Sequence, residues 1–439
     1  MAVAAAVVAS AETALGIAWR PELSWAIENR SHLKFIELLV ENLPTNNTLP
    51  EAVKKLQKQG VRIALHGVSL SLGSAERPNP NRLKRLAESA QACNAHIVSE
   101  HLAFVRGGGI EAGHLLPLHR RSDAMKKTVE NIQITQAALP VPLAVENIAS
   151  LFRYPDDALT EAEYLREILV SANCLLLLDV ANLYANSVNY GFDPVRVLDE
   201  LPLDRLAYVH IAGGILRDGF YHDTHAHPTG EAPLMLLSEL CKRVAPPAVI
   251  LERDEAFPGE EELDAELQAI QAAIAAPLVS ASTRSPAVAE NPPGRAKSSE
   301  ETAPDDGAYQ ILEVQESLIR CMSNGASAPA GFDALELERS ASTLFHKRMR
   351  VMVRCHPSLP DACGDNFHIS FRSYANKYRL NSEADGGIDG YGFALYSLLK
   401  KNTHHIAIAK YVLLRVFRGP EQARRLFQAM ACFHHSRIA

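Results

Sequence analysis

Histidines and carboxylates in the N-terminal half of the chain recur in one setting, at the end of a short apolar run. His66 closes "RIALHGVS", His101 follows Glu100 in "HIVSEHLAF", and Glu146 closes "PLAVENI". Asp179 and Asn182 end "LLLLDVAN", His210 ends "LAYVHIAGG", Asp223 and His225 follow in "HDTHAHP", and Glu252 ends "AVILERD". Imidazole and carboxylate without thiolate exclude soft copper(I) or iron–sulfur sites and suit iron, zinc or manganese. There are more candidate His and Asp/Glu ligands than one ion needs, and a carboxylate such as Glu146 can bridge two ions. The count points to a multinuclear site, and His plus carboxylate with open positions suits oxygen-activating iron. Residue type alone does not separate iron from zinc or manganese. A lone His at a strand end is commonly a structural residue, and a lone buried Glu pairs with Arg or Lys. As a set, these groups would repel or stay unpaired unless a cation compensates them.

Eight runs must position them: Ala14–Trp19, Phe35–Glu41, Arg62–Gly67, His96–Ala103, Pro142–Asn147, Leu175–Asn182, Leu206–Ala212 and Ala248–Arg253. Strands separated by helix-length spacers are βα units of a parallel sheet. Eight such units over about 250 residues favour a closed (β/α)8 TIM barrel over an open sheet. No G-x-G-x-x-G follows the first strand, against a dinucleotide-binding sheet. In a parallel barrel the C-terminal strand ends share one face, where catalytic sites are built.

Composition bounds the rest. The chain has 439 residues, 47% hydrophobic and 22% charged, with a net charge of -7, so charge alone points to neither nucleic acid nor membrane. No apolar run is long enough to span a bilayer. Met1 to Ala11 lacks a basic n-region and is not read as a signal peptide. Seven scattered cysteines without a C-x-x-C pair suit a reducing cytoplasm. The barrel is expected over 1–276. The Ser/Pro/Ala/Glu/Thr-rich stretch 277–308 reads as a flexible linker, and 309–439 as a mainly α-helical domain. Basic residues outnumber acidic ones after Ser340, which suits either an acidic or peptide partner or a solvated face. Cys355, His356, Cys363 and His368 are spaced irregularly around Pro357 and Pro360 and are read as scattered residues rather than a zinc site. The His404–His405 and His434–His435 pairs are read as surface residues.

The motifs "GIAWRPEL", "HGVSLSLG", "SEHLAF", "VENIAS", "LLDVANLY" with "NYGFD", "HIAGG" and "DTHAHP" resemble, in order, the multinuclear non-haem iron-dependent oxidative enzymes typified by methanobactin biosynthesis oxidases. The resemblance spans about Gly16 to Glu252. It implies a barrel of the xylose-isomerase type holding two or three irons, mixed Fe(II)/Fe(III), with O2 as co-substrate. It further implies oxidation of a residue, commonly cysteine, in a ribosomally made (RiPP) precursor peptide. Carried over, it puts metal on His66, His101, Glu146, His210, Asp223, His225 and Glu252, with Asp179 and Asn182 at the metals or just behind their ligands. Two positions depart from the pattern: Ala181 precedes Asn182 where relatives usually have a second Asn, and Gly214 stands where they often have His. The stretch "VMVRCHPSLPDACGDNFHISFRSYANKYRL" with "GYGFALYSLL" is similar to the helical partner proteins usually encoded beside these oxidases. This implies a partner fused to its enzyme, docking the precursor peptide, with no nucleic-acid or membrane partner. The rival readings are a divalent-metal sugar isomerase or endonuclease of the same barrel superfamily, and a metal-binding scaffold protein. An endonuclease needs a basic mouth, and the loops show no such excess.

Overall fold

In the computed structural model the described residues are 13–44, 48–217, 219–275, 306–378, 386–400, 405–416 and 420–435. The barrel strands are β1 (Ala14–Ala18), β2 (Phe35–Leu39), β3 (Arg62–Gly67), β4 (Ile97–His101), β7 (Leu143–Glu146), β8 (Leu175–Asp179), β9 (Leu206–Ile211) and β12 (Ala248–Leu251). They close in the order β1-β12-β9-β8-β7-β4-β3-β2, every pair parallel. All eight expected strands are present, and the TIM barrel is as expected. Two antiparallel hairpins were not foreseen: β5 (Phe104–Gly107) with β6 (Ile110–Leu116), and β10 (Gly213–Arg217) with β11 (Phe220–His227). Each rises from the C-terminal end of a barrel strand, β4 or β9.

The strands are apolar on both faces because both are covered. Outward residues such as Ile63, Val98, Val145, Leu178, Val209 and Val249 join a core beneath the outer helices. That ring comprises α1 (Ser24–Glu28), α2 (Glu51–Lys58), α3 (Pro80–Ala92), α4 (Ser122–Ala138), α5 (Glu161–Ala172), α6 (Val180–Tyr190), α7 (Pro194–Glu200), α8 (Glu231–Cys241) and α9 (Glu260–Ile274). Inward residues Ala18, Phe35, Ala64, Ile97, Ala144, Leu177, Tyr208 and Ile250 fill the barrel. Strand side chains alternate with period two. Two residues beyond Ala64, Ala144, Leu177, Tyr208 and Ile250 therefore stand His66, Glu146, Asp179, His210 and Glu252, all facing inward at the rim.

The C-terminal part is helical among its described residues: α10 (Asp306–Asn324), α11 (Ala334–Cys355), α12 (Leu359–Cys363), α13 (Phe367–Ala375), α14 (Gly386–Leu399), α15 (His405–Val416) and α16 (Pro420–His435). Phe367, Phe371, Tyr374, Phe393 and Tyr411 form its own aromatic core. Its first two helices also join the barrel, with Leu318, Ile319, Met322, Leu337 and Leu344 packing into the barrel's outer core. The expected linker lies outside the described residues up to 305. Beyond it, α10 begins at Asp306. His356 is buried, with Nδ1 at the Tyr411 hydroxyl and Nε2 at the Gly387 carbonyl, a structural role as expected. No described helix is long and apolar enough to cross a membrane.

Candidate metal centre

The inward rim residues meet. Three sets of potential ligand atoms each lie within 4.8 Å of one another: His66–His101–Glu146, Glu146–Asp179–His210–Glu252, and Asp179–Asp223–His225. Glu146 belongs to the first two sets and Asp179 to the last two. Glu146 Oε2 lies 3.2 Å from His101 Nε2 and 3.5 Å from His66 Nε2, and its Oε1 lies 2.9 Å from His210 Nδ1. Glu252 Oε2 lies 3.2 Å from His210 Nδ1 and 3.6 Å from His225 Nδ1. Every sequence-predicted His, Asp and Glu is thus in the cluster. Asn182 stands apart: its N–H donates to Asp179 Oδ1 (2.8 Å) and its Nδ2 to the Asn147 carbonyl (3.1 Å). Asp223 and His225, expected in a loop, sit on β11, and His225 has φ +53°, a left-handed backbone unusual for a non-glycine residue.

Local chemistry fixes the orientations. The Gly67 carbonyl takes the Nδ1–H of His101 at 3.1 Å, leaving Nε2 for the cluster. His66 Nδ1 meets Ser99 Oγ at 2.7 Å. Asn147, just after Glu146, holds the end of β8: its Nδ2 donates to the Asp179 carbonyl (3.0 Å) and its Oδ1 accepts from Asp179 N–H (2.9 Å). Asp179 is also the N-cap of α6. One of its oxygens caps the helix while the other faces the cluster.

Burial opposes a charge on His101, but Glu146 and Glu100 outweigh it and hold the imidazole up at about 9. Burial likewise opposes charge on His210 and His225, and neighbouring carboxylates push both up. Glu252 is held well below the usual carboxylate range by His210 and His225 despite its burial. Asp179 is pushed up to about 8 by burial and by Asp223 and Glu146. In the metal-free chain, protons favoured on His101, His210 and His225 offset the carboxylates where a cation would otherwise do so. Several cluster atoms still have no hydrogen-bond partner: Glu146 Oε2, Asp179 Oδ2, Asp223 Oδ1 and His225 Nδ1. Buried orphans of this kind are costly unless something outside the protein engages them.

Sequence reasoning missed Glu37. It is buried in β2, 2.9 Å from His210 Nε2, and accepts from the Tyr208 hydroxyl at 2.7 Å. Its signal was parity with inward-facing Phe35. Arg20 and Asp254 were missed too: Asp254 binds Arg20 and approaches His225 Nδ1 at 3.5 Å. A cleft of about 470 Å³ opens beside the centre. Its lining holds none of the predicted ligands but includes Leu102 and Asn147, which follow His101 and Glu146.

Residues 14–275 match the family model described as RiPP precursor modification enzyme MbnB/TglH/ChrH, and residues 312–394 match that of an SCO6045-like C-terminal domain. A UPF0276 protein of Streptomyces avermitilis is 40% identical over 403 residues, covering 82% of each chain. A UPF0276 protein of Caulobacter vibrioides is 34% identical over 247 residues, 56% of this chain and 88% of that one. Among solved structures, a xylose isomerase domain protein from Planctomyces limnophilus aligns with TM-score 0.42 at 13% identity, over 60% of this chain and 96% of that one. With its matching model spanning the whole barrel, the chain belongs to the MbnB/TglH/ChrH family of RiPP precursor modification enzymes.

Proposed function

We propose that the protein oxidises a residue, a cysteine, in a ribosomally synthesised precursor peptide, using a cluster of two or three irons and O2. The observation that carries the reading is the sharing of Glu146 and Asp179 among three adjacent ligand sets. Single-ion sites do not need shared carboxylates, and bridging carboxylates are how neighbouring cations are held together. The donor set fits iron, being imidazole and carboxylate with no thiolate, and four buried atoms of the cluster have no hydrogen-bond partner, as ligand atoms for a cation would. His66, His101 and Glu146 would hold one ion, Glu146, Asp179, His210 and Glu252 a second, and Asp179, Asp223 and His225 a third. Iron held there, in mixed Fe(II)/Fe(III) form, would supply the redox chemistry that reduces O2 and oxidises the substrate.

The chain's own groups do the rest. The barrel wall keeps bulk water from Glu146, Asp179 and His210, which are buried. Gly67, Ser99, Asn147 and Glu37 hold the imidazoles and carboxylates in fixed orientations. The fused C-terminal domain is proposed to dock the precursor peptide, so that a weak contact suffices at high effective concentration. The division into a barrel over 1–276, a linker and a docking domain belongs to the same reading. So does a cytoplasmic location, which suits the free, buried Cys93, Cys174 and Cys241.

The test is elemental analysis of protein made with iron supplied, followed by mass spectrometry of Cys-bearing peptides encoded nearby after incubation with O2. At least two irons per chain and an oxidative mass change are expected. One stoichiometric zinc with no iron, or unchanged peptides with iron fully loaded, would move the reading to a sugar isomerase or endonuclease.

A further inference from the structure

Helix α11 comes from the C-terminal domain but lies across the barrel mouth. Near its start, Glu336 accepts from Arg153 N–H (2.9 Å) and Ser340 Oγ donates to the Leu151 carbonyl (3.0 Å), both on the loop after β7. Arg339 stacks over Phe220 of β11 at 5.8 Å. Lys347, at mid-helix, meets His114 of β6 at 3.0 Å. Further along, Arg350 and Arg354 reach Glu255, after β12, at 3.3 and 3.0 Å. Segments following β4, β7, β9 and β12 are therefore all touched by one helix, and these are the strands that deliver His101, Glu146, His210 and Glu252.

Lys347 differs from Arg350 and Arg354 further along the helix. Arg350 and Arg354 have a carboxylate partner. Among the described residues no carboxylate lies within ion-pair distance of Lys347, whose partner is an imidazole. The side chain of His114 is kept neutral, its pKa pushed well below the ordinary value by burial and by the ammonium beside it. A neutral imidazole accepts one hydrogen bond and adds no charge, so the ammonium keeps two donors. Burial, and the charge of Arg350, push the Lys347 ammonium down from its ordinary value, while the charges of Asp254, Glu255 and Asp223, the last a candidate metal ligand, act against that shift. The arrangement is a half-buried cation held by a neutral imidazole, with carboxylates near enough to act on it but, among the described residues, none within ion-pair distance. An ammonium so placed selects for an anion arriving from outside.

We propose that Lys347 is a substrate-binding residue that takes a carboxylate of the peptide next to the residue being modified, with His114 as the residue that positions it. The C-terminal domain then contributes a group to the substrate site itself. This rests on the peptide-oxidation reading and narrows its substrate class to peptides with a carboxylate beside the reacting side chain. That carboxylate is either the terminal one, when the reacting residue is last, or a neighbouring Asp or Glu.

The test uses the full-length, iron-loaded protein without oxygen, titrated calorimetrically with two pairs of probes. One pair is acetyl-Gly-Cys as free acid and as amide. The other is acetyl-Cys-Glu amide and acetyl-Cys-Gln amide. In at least one pair the acid should bind about tenfold or more tighter than its neutral twin, the scale of a charge-assisted hydrogen bond. The pair that shows the ratio identifies the source of the carboxylate. In Lys347→Met the ratio should fall to near one, and Lys347→Arg should restore part of it. Lys347→Gln serves as the second neutral variant should Lys347→Met loosen α11, and iron content is measured for all. Equal binding of acid and neutral twins in both pairs, or a ratio unchanged in the neutral variants, would overturn the proposal. Because no turnover is involved, an unchanged peptide mass in oxygen would count against peptide oxidation while leaving the acid-to-neutral ratio to be read independently.

Discussion

The side-chain amide of Gln315 donates to the carbonyl of Gly73 at 2.7 Å, although the two lie 242 residues apart. Its oxygen accepts from the Ala75 N–H at 3.0 Å, and both bonds are buried. Gln315 sits on α10 and Gly73 on the loop after β3, so this amide stitches the start of the C-terminal domain to the barrel. Tight packing accompanies it: a Cβ on Gly107 would come within 3.1 Å of the Gln315 Cβ.

A consequence is that a nick in the segment between the two parts should not part them. Limited proteolysis near Ser280 to Ser299 should give two fragments that co-elute in size-exclusion chromatography, because Leu318, Ile319 and Met322 remain in the barrel's core. Fragments that separate without denaturant would contradict a shared core.

Gln315→Ala should destabilise the folded chain by about 1–3 kcal/mol, since it strands a buried N–H and a buried carbonyl. Urea denaturation followed by circular dichroism measures this. A loss below a few tenths of a kcal/mol would mean that water replaces the amide.

The metal-free and metal-loaded proteins should respond oppositely to pH. In the metal-free chain His101 is held up at about 9, above its ordinary 6.5. A raised folded pKa contributes stability below the unfolded value, and that stability is lost as pH rises through the folded one. Asp179, pushed up to about 8, acts in the same direction. The Tm of chelated protein should therefore fall between pH 6.5 and 9. Metal binding must displace these protons, so metal affinity should rise over the same interval and loading should release protons into weak buffer. A chelated Tm that rises across this range would contradict the assignment.

The barrel was legible because its signal is local. Each strand is a short apolar run, and the rim residues follow inward-facing ones by two. Hairpin β10–β11 had a local signal as well, the Asp218–Gly219 dipeptide, which favours a two-residue turn. Its first strand opens on two glycines and its second is rich in His and Asp, so neither shows alternating apolar residues, and this hid it. Hairpin β5–β6 was marked by three consecutive glycines, of which Gly108 and Gly109 have positive φ. Glu37 escaped because it lies inside a strand rather than at its end. The meeting of Lys347 with His114 had no local signal, since it depends on how a helix more than 230 residues away docks on the mouth.

The two oxygens of Asp179 make its two roles separable. Oδ1 caps α6 by accepting from Asn182 N–H, and Oδ2 has no hydrogen-bond partner in the cluster. Asn is as good an N-cap as Asp, whereas Ala forfeits about 1 kcal/mol. Asp179→Asn should therefore keep the metal-free protein folded while its metal content drops, because the shared carboxylate between the second and third ligand sets is gone. Removing a carboxylate that is crowded by Asp223 and Glu146 should also relieve repulsion, so the metal-free Tm of Asp179→Asn should equal or exceed that of the parent at pH 9. Asp179→Ala should lose the same metal and, in addition, the cap. Elemental analysis beside thermal melts of all three proteins distinguishes the roles: if Asp179→Asn retains full metal content, Asp179 is a helix cap only and the bridge between the two ligand sets is not there.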